Sequence, residues 1–134
     1  MKYRRSLPRR AARRVATRDH FDRLVAETLA SLPDAFQPYL ERVAITVEDW
    51  PDPRELDEMG IPPDETLYGL QRGPALGYDG SLMAPPVIVV YRGPILEDYT
   101  ADADIRREVR TTVLHEIGHF FGLTEADLDR LGLA

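Results

Sequence analysis

The longest regular pattern in the chain lies near its C-terminus, and the rest of the fold has to pack around it. Ile105, Val109, Val113, Ile117, Phe120 and Phe121 recur at three- and four-residue intervals. This spacing predicts a helix over residues 103–121 with those side chains on one face. At about 100° per residue they sweep less than half the circumference, so the helix has one apolar side to bury. Gly122 is a natural stop. Thr124 then caps a last short helix, with Asp127 three residues on as a partial capping box.

The upstream elements are shorter. Asp19 is a cap for a helix beginning at His20, in which Phe21, Leu24, Val25, Leu29 and Leu32 share one face with Thr28 as its polar member. Pro33 and Asp34 break it, and a short helix within residues 35–42 is limited by Pro38. Residues 43–48 alternate apolar and smaller or polar side chains and read as a strand. Residues 50–64, rich in Pro and acid, read as a connection with one helical turn near Leu56. Residues 67–71 form a weaker strand and residues 73–86 a loop. Residues 87–91 (VIVVY) are the strongest strand in the chain, β-branched and framed by Pro86 and Gly93. The order implies an α+β fold: a small twisted sheet of three or four strands, helices packed on one face, and the long helix near the C-terminus.

A chain of 134 residues suits one domain able to bury a core without staples. The absence of cysteine removes disulfides, thiolate metal sites and thiol nucleophiles, and fits a reducing, cytoplasmic setting. No apolar run reaches the length of a membrane span. The net charge of −6 hides a strong asymmetry. The first 18 residues hold eight of the 17 basic residues and none of the 23 acidic ones, which leaves −14 on the remainder. Residues 1–18 therefore read as a basic, solvated N-terminal arm and residues 19–134 as the domain. A basic head could meet a polyanion, but the acidic body disfavours nucleic acid as the main partner.

The chemistry concentrates on the long helix. His115 and His119 are four residues apart and project from the same side, one turn apart and away from the apolar arc. Two imidazoles so placed can share one Zn²⁺ at bonds of about 2.0–2.1 Å. The pattern is His-Glu-x-x-His, in which Glu116 is positioned to act on water at the metal rather than to ligate. A third ligand is needed. Gly122 can reverse the chain just past His119, and Glu125 falls in the first turn of the next helix, where it can point back. Asp127 is the rival ligand, although it is better placed as a capping partner. Two histidines and one glutamate leave a position open, as catalytic zinc requires.

The stretch His115-Glu116-x-x-His119-x-x-Gly122-x-x-Glu125 resembles the zincin metallopeptidases, and from about Asp19 onward the chain is similar to a small bacterial single-domain zincin-like metallopeptidase family. Residues 67–73 (LYGLQRG) and 85–95 (PPVIVVYRGPI) match that family's pattern in the same order. The spacing resembles metzincins, whereas a glutamate as third ligand is more like gluzincins; the methionine turn of metzincins has no counterpart after Glu125. The resemblance implies a minimal zincin-like fold, hydrolysis of peptide bonds in a peptide or protein substrate, and substrate pairing with a strand ahead of the active-site helix. Residues 87–91 are the candidate for that strand, with a plain core strand as the other reading. Tyr68, Tyr91 and Tyr99 are equal candidates to stabilise an oxyanion. Larger zincins have a second subdomain after the motif. Its absence here implies a shallow site with weak catalysis, or a protein partner that completes the cleft. The rival classes are a zinc-binding interaction module without turnover and a nucleic-acid binder with structural zinc.

Overall fold

The computed structural model describes residues 3–5 and 18–133. Residues 6–17, most of the basic head, lie outside the described residues. The chain runs β1 (Tyr3–Arg5), α1 (Arg18–Ala30), a single 3₁₀ turn (Asp34–Phe36), α2 (Gln37–Leu40), β2 (Ala44–Glu48), α3 (Pro53–Glu58), β3 (Glu65–Leu67), β4 (Gly69–Arg72), β5 (Ala75–Leu76), β6 (Leu82–Ala84), β7 (Val87–Tyr91), α4 (Arg92–Asp98), α5 (Asp102–Phe121) and α6 (Glu125–Arg130). This is the α+β architecture expected, with its long helix near the C-terminus.

The sheet is small and mixed, in the order β2-β7-β4. β2 runs parallel to β7, pairing Ala44 with Val87 through Glu48 with Tyr91. β4 runs antiparallel to β7, pairing Gly69 with Val90 through Arg72 with Val87. β7 is therefore the central strand, with both of its edges taken. The reading of residues 87–91 as an edge open to a peptide is corrected: among the described residues the outer strands of this sheet are β2 and β4. Of the basic head, residues 3–5 pair antiparallel with β3, Tyr3 opposite Leu67.

Alternate residues of β7 serve two different cores, as a period of two demands. Ile88 and Val90 join Phe21, Leu24 and Val25 of α1 and Ile105, Val109, Val113 and Ile117 of α5 in the main core. Val89 and Tyr91 face the other way, into a smaller cluster with Leu67 and Leu70, against which Leu56, Met59 and Ile61 pack. The expectation of helices on one face needs this amendment, since α3 and the turn after it cover the second.

One close approach fixes the long helix to the sheet. A Cβ on Gly69 would lie 2.3 Å from Thr112 Cγ2 and 3.0 Å from the Val89 carbonyl oxygen. Thr112 is buried, and its hydroxyl donates to Glu108 Oε2 at 3.0 Å, so its methyl is not free to swing aside. Only a residue without a side chain lets α5 sit this near β4. Gly69→Ala is expected to cost about 1–3 kcal/mol, the usual range for overpacking. Adding Thr112→Ser, which deletes the methyl and keeps the hydroxyl, should recover most of the loss in chemical denaturation.

Candidate metal centre

Helix α5 presents three kinds of surface. Its apolar residues are in the core. Glu108, Thr112 and Glu116, spaced by four, form a second stripe that is polar yet 5%, 1% and 3% exposed. His115 and His119 stand in solvent on a third, their ring centroids 4.5 Å apart and their planes inclined by 47°. Glu116 sits between the two histidines in sequence but turns inward. It makes no hydrogen bond among the described residues, and burial raises its carboxyl pKa above the usual range. A buried carboxyl that opens into a cleft and has a raised pKa is common where protons are exchanged.

Glu116 and His119 open into a cleft of about 470 Å³ whose other walls are Glu55, Met59, Leu70 and Gln71. The cleft therefore joins α5 to β4 and to α3. Thr112 rests on Gly69, and Glu116 is one turn further along, which is why the buried carboxyl meets the next residues of β4.

The C-terminal end of α5 follows the sequence expectation. Gly122 takes a left-handed conformation (φ 66°, ψ 32°), which a side chain would disfavour. Thr124 caps α6, and the full capping box forms: the Asp127 amide donates to the Thr124 hydroxyl at 3.1 Å, and the Thr124 amide donates to Asp127 Oδ2 at 2.8 Å. Those bonds commit Asp127 to the cap, with Arg130 alongside. Glu125 is the first residue of α6, exposed and without a hydrogen bond among the described residues. The structure thus brings His115 and His119 together, places Glu116 beside them, and leaves Glu125 apart. Among the described residues no three His, Asp or Glu side chains form a cluster ready to hold a metal ion. Two imidazoles one turn apart suit zinc, and the first carboxylate past His119 along the chain is Glu125.

The three candidate tyrosines all have other partners. Tyr68 donates to Asp98 at the end of α4, and Tyr99 donates to Glu108 in the N-terminal half of α5 at 3.3 Å. Tyr91 is fully buried, its hydroxyl 3.4 Å from both Glu55 and Arg72. Burial raises the pKa of Tyr68 and of Tyr91. None of the three lines the cleft.

Sequence reasoning passed over the opposite wall. Asp52 accepts the Arg54 amide at 2.9 Å and Pro53 opens α3, a start signal set inside what read as a connection. That helix holds Glu55 against Arg72, whose Nε and Nη2 donate to the two Glu55 oxygens at 2.9 Å each, while Nη1 donates to Glu48 at 2.7 Å. The Arg72 hydrogen bonds hold the Glu55 carboxyl below its usual pKa. A lowered folded-state value means that this pair's stabilisation is complete above the ordinary carboxylate pKa of about 4.3 and is lost as pH falls through the lower folded value. Glu55→Gln is expected to flatten that acid limb of a stability–pH profile.

A paired imidazole motif on a helix, a carboxyl buried next to it and a small mixed sheet beneath are the features that the zincin-like sequence pattern leads one to expect. Residues 40–133 match the zincin-like metallopeptidase family, and over that span, well beyond half of the chain, the protein belongs to it. Among solved structures the chain is similar to a conserved hypothetical protein from Thermo thermophilus: 26% identity, 79% of this chain and 94% of that chain covered, TM-score 0.56. No curated protein matches.

Proposed function

We propose that the protein is a zinc-dependent metallopeptidase acting on extended peptides or protein segments. The observation that carries this reading is one cleft shared by Glu116, His119 and β4, an outer strand of the three-stranded sheet among the described residues. His115 and His119 would hold the metal, with Glu125 as the third ligand. When bound, zinc supplies Lewis acidity toward a carbonyl oxygen and toward water. An extended peptide pairs with β4 as an outer strand of the sheet among the described residues, and main-chain groups there fix its position with little demand on sequence. Glu116 takes the proton from the attacking water and delivers it to the leaving amine. Its burial favours this role, because a carboxyl with a raised pKa holds and releases a proton nearer neutral pH than an exposed one.

A second reading has one observation in its favour. No three-donor cluster stands ready among the described residues, as expected of a zinc-binding interaction module with little turnover, or of a site that a protein partner completes. No helix among the described residues is long and apolar enough to cross a membrane, and a cysteine-free chain suits the cytoplasm. The acidic body continues to disfavour nucleic acid. A digest of a diverse peptide library separates the readings. The peptidase reading expects cleavage with one equivalent of zinc and none with a chelator; zinc binding without any cleavage favours the interaction module.

A further inference from the structure

We propose that Glu55 selects the substrate: it receives the ammonium or guanidinium of a lysine or arginine side chain on an extended peptide lying along β4. The inference rests on the reading of the cleft as a peptide site and adds the chemistry of the side chain that the cleft accepts.

Charge is the first argument. Among the described residues, Glu55 and Glu116 are the carboxyl groups of the cleft wall, and no lysine or arginine side chain lines it. Arg72 stands beside Glu55 and is shared with Glu48, so one guanidinium serves two carboxylates and the trio keeps a net negative charge. A carboxylate has about four lone-pair positions. Arg72 and, more distantly, Tyr91 use part of the Glu55 set, and the Glu55 side chain is still 27% exposed. It can therefore accept another charged donor.

Shape is the second. Met59 and Leu70 supply apolar wall between β4 and Glu55. Lysine and arginine bury their methylene stems on such surface while the charged head reaches a polar end. A peptide paired with a strand edge turns alternate side chains to one face, so a residue turned toward this face meets the apolar wall first and Glu55 beyond it. Arg72 also holds Glu55 in place, so little side-chain freedom is lost when the cation arrives.

The test is binding, which separates it from turnover. Fluorescein-labelled decapeptides, each with one position varied among Lys, norleucine and Glu on a Gly/Ala/Ser background, are titrated against the full-length Glu116→Gln protein with one equivalent of zinc. The expected result is roughly tenfold tighter binding of a Lys peptide than of its norleucine counterpart, in line with a hydrogen bond to a charged group, and weaker binding still for Glu. The Lys preference should vanish in Glu116→Gln/Glu55→Gln and survive Glu116→Gln/Glu97→Gln, which removes an acid outside the cleft. Circular dichroism melts establish that each protein is folded. Should Glu55→Gln fail to fold, the salt series on the Glu116→Gln protein decides: the Lys advantage must shrink between about 0.05 and 0.5 M NaCl. Equal affinity for all three peptides, a preference untouched by Glu55→Gln or by salt, or no peptide binding at all overturns the proposal. Lys-selective, Glu55-dependent binding in a protein whose wild type cleaves nothing sustains it while removing the peptidase reading; cleavage without any basic preference does the reverse.

Discussion

Replacing Glu116 by Gln is expected to lower peptide cleavage by about 10²–10⁴-fold, the range typical of a general acid–base group, with zinc content unchanged. The substitution keeps the size and polarity of the side chain. It leaves the imidazole pair intact, because Glu116 turns into the cleft while His115 and His119 face solvent. Structural damage should also be small, since Glu116 has no hydrogen bond among the described residues for Gln to break. Single-turnover cleavage assays beside metal analysis of the same preparation read both quantities. A variant that cleaves as fast as wild type would remove Glu116 from the mechanism.

The second large effect concerns metal retention. His115→Ala or His119→Ala removes one of two imidazoles, and tight zinc binding should be lost in either case. Glu125→Ala should weaken binding measurably. Asp127→Ala should not, because Asp127 already spends its carboxylate on the Thr124 amide and Arg130. Its loss is expected in stability instead, on the order of 0.5–2 kcal/mol for a damaged cap. Competition against a chromophoric chelator ranks the four variants. The reverse order for the two acids, with Asp127→Ala losing the metal, would reassign the third ligand.

The motif helix was legible because its signals are local. The apolar spacing, the glycine stop and the Thr124 cap each act within a turn or two of chain, and α5, Gly122 and the capping box follow them closely. The position of Val87–Tyr91 was not, because strand order depends on partners far away in sequence. Its unbroken apolar run was nevertheless a usable sign. A strand covered on both faces has no need to alternate, and β7 feeds two cores. Helix α4 was hidden because Gly93 was read as the end marker of the strand before it. Gly93 and Pro94 fall in the first turn of α4, where a proline removes no helical hydrogen bond. The hairpin β5–β6 lay inside an expected loop although Asp79-Gly80 is a common hairpin pair. Glu55 could not be found from sequence, since nothing local marks a carboxylate that folding brings opposite a helix more than fifty residues later.

The seat of Thr112 on Gly69 gives helix α5 a stiff middle and a compliant end. A methyl group against bare backbone has no slack, and Glu116 one turn along α5 inherits that rigidity together with the edge of β4. Displacements of about 1 Å in reacting groups can cost on the order of 10²-fold in rate, so the parts that must not drift are joined through close packing rather than through a loop. Glu125 lies beyond the compliant end, reached through an exposed left-handed turn and carried on a six-residue helix with no buried side chain. On the proposed reading, adjustment to an arriving ion takes place there without moving Glu116 relative to the strand. The molecule keeps its tolerance at one end of the helix and its precision in the middle.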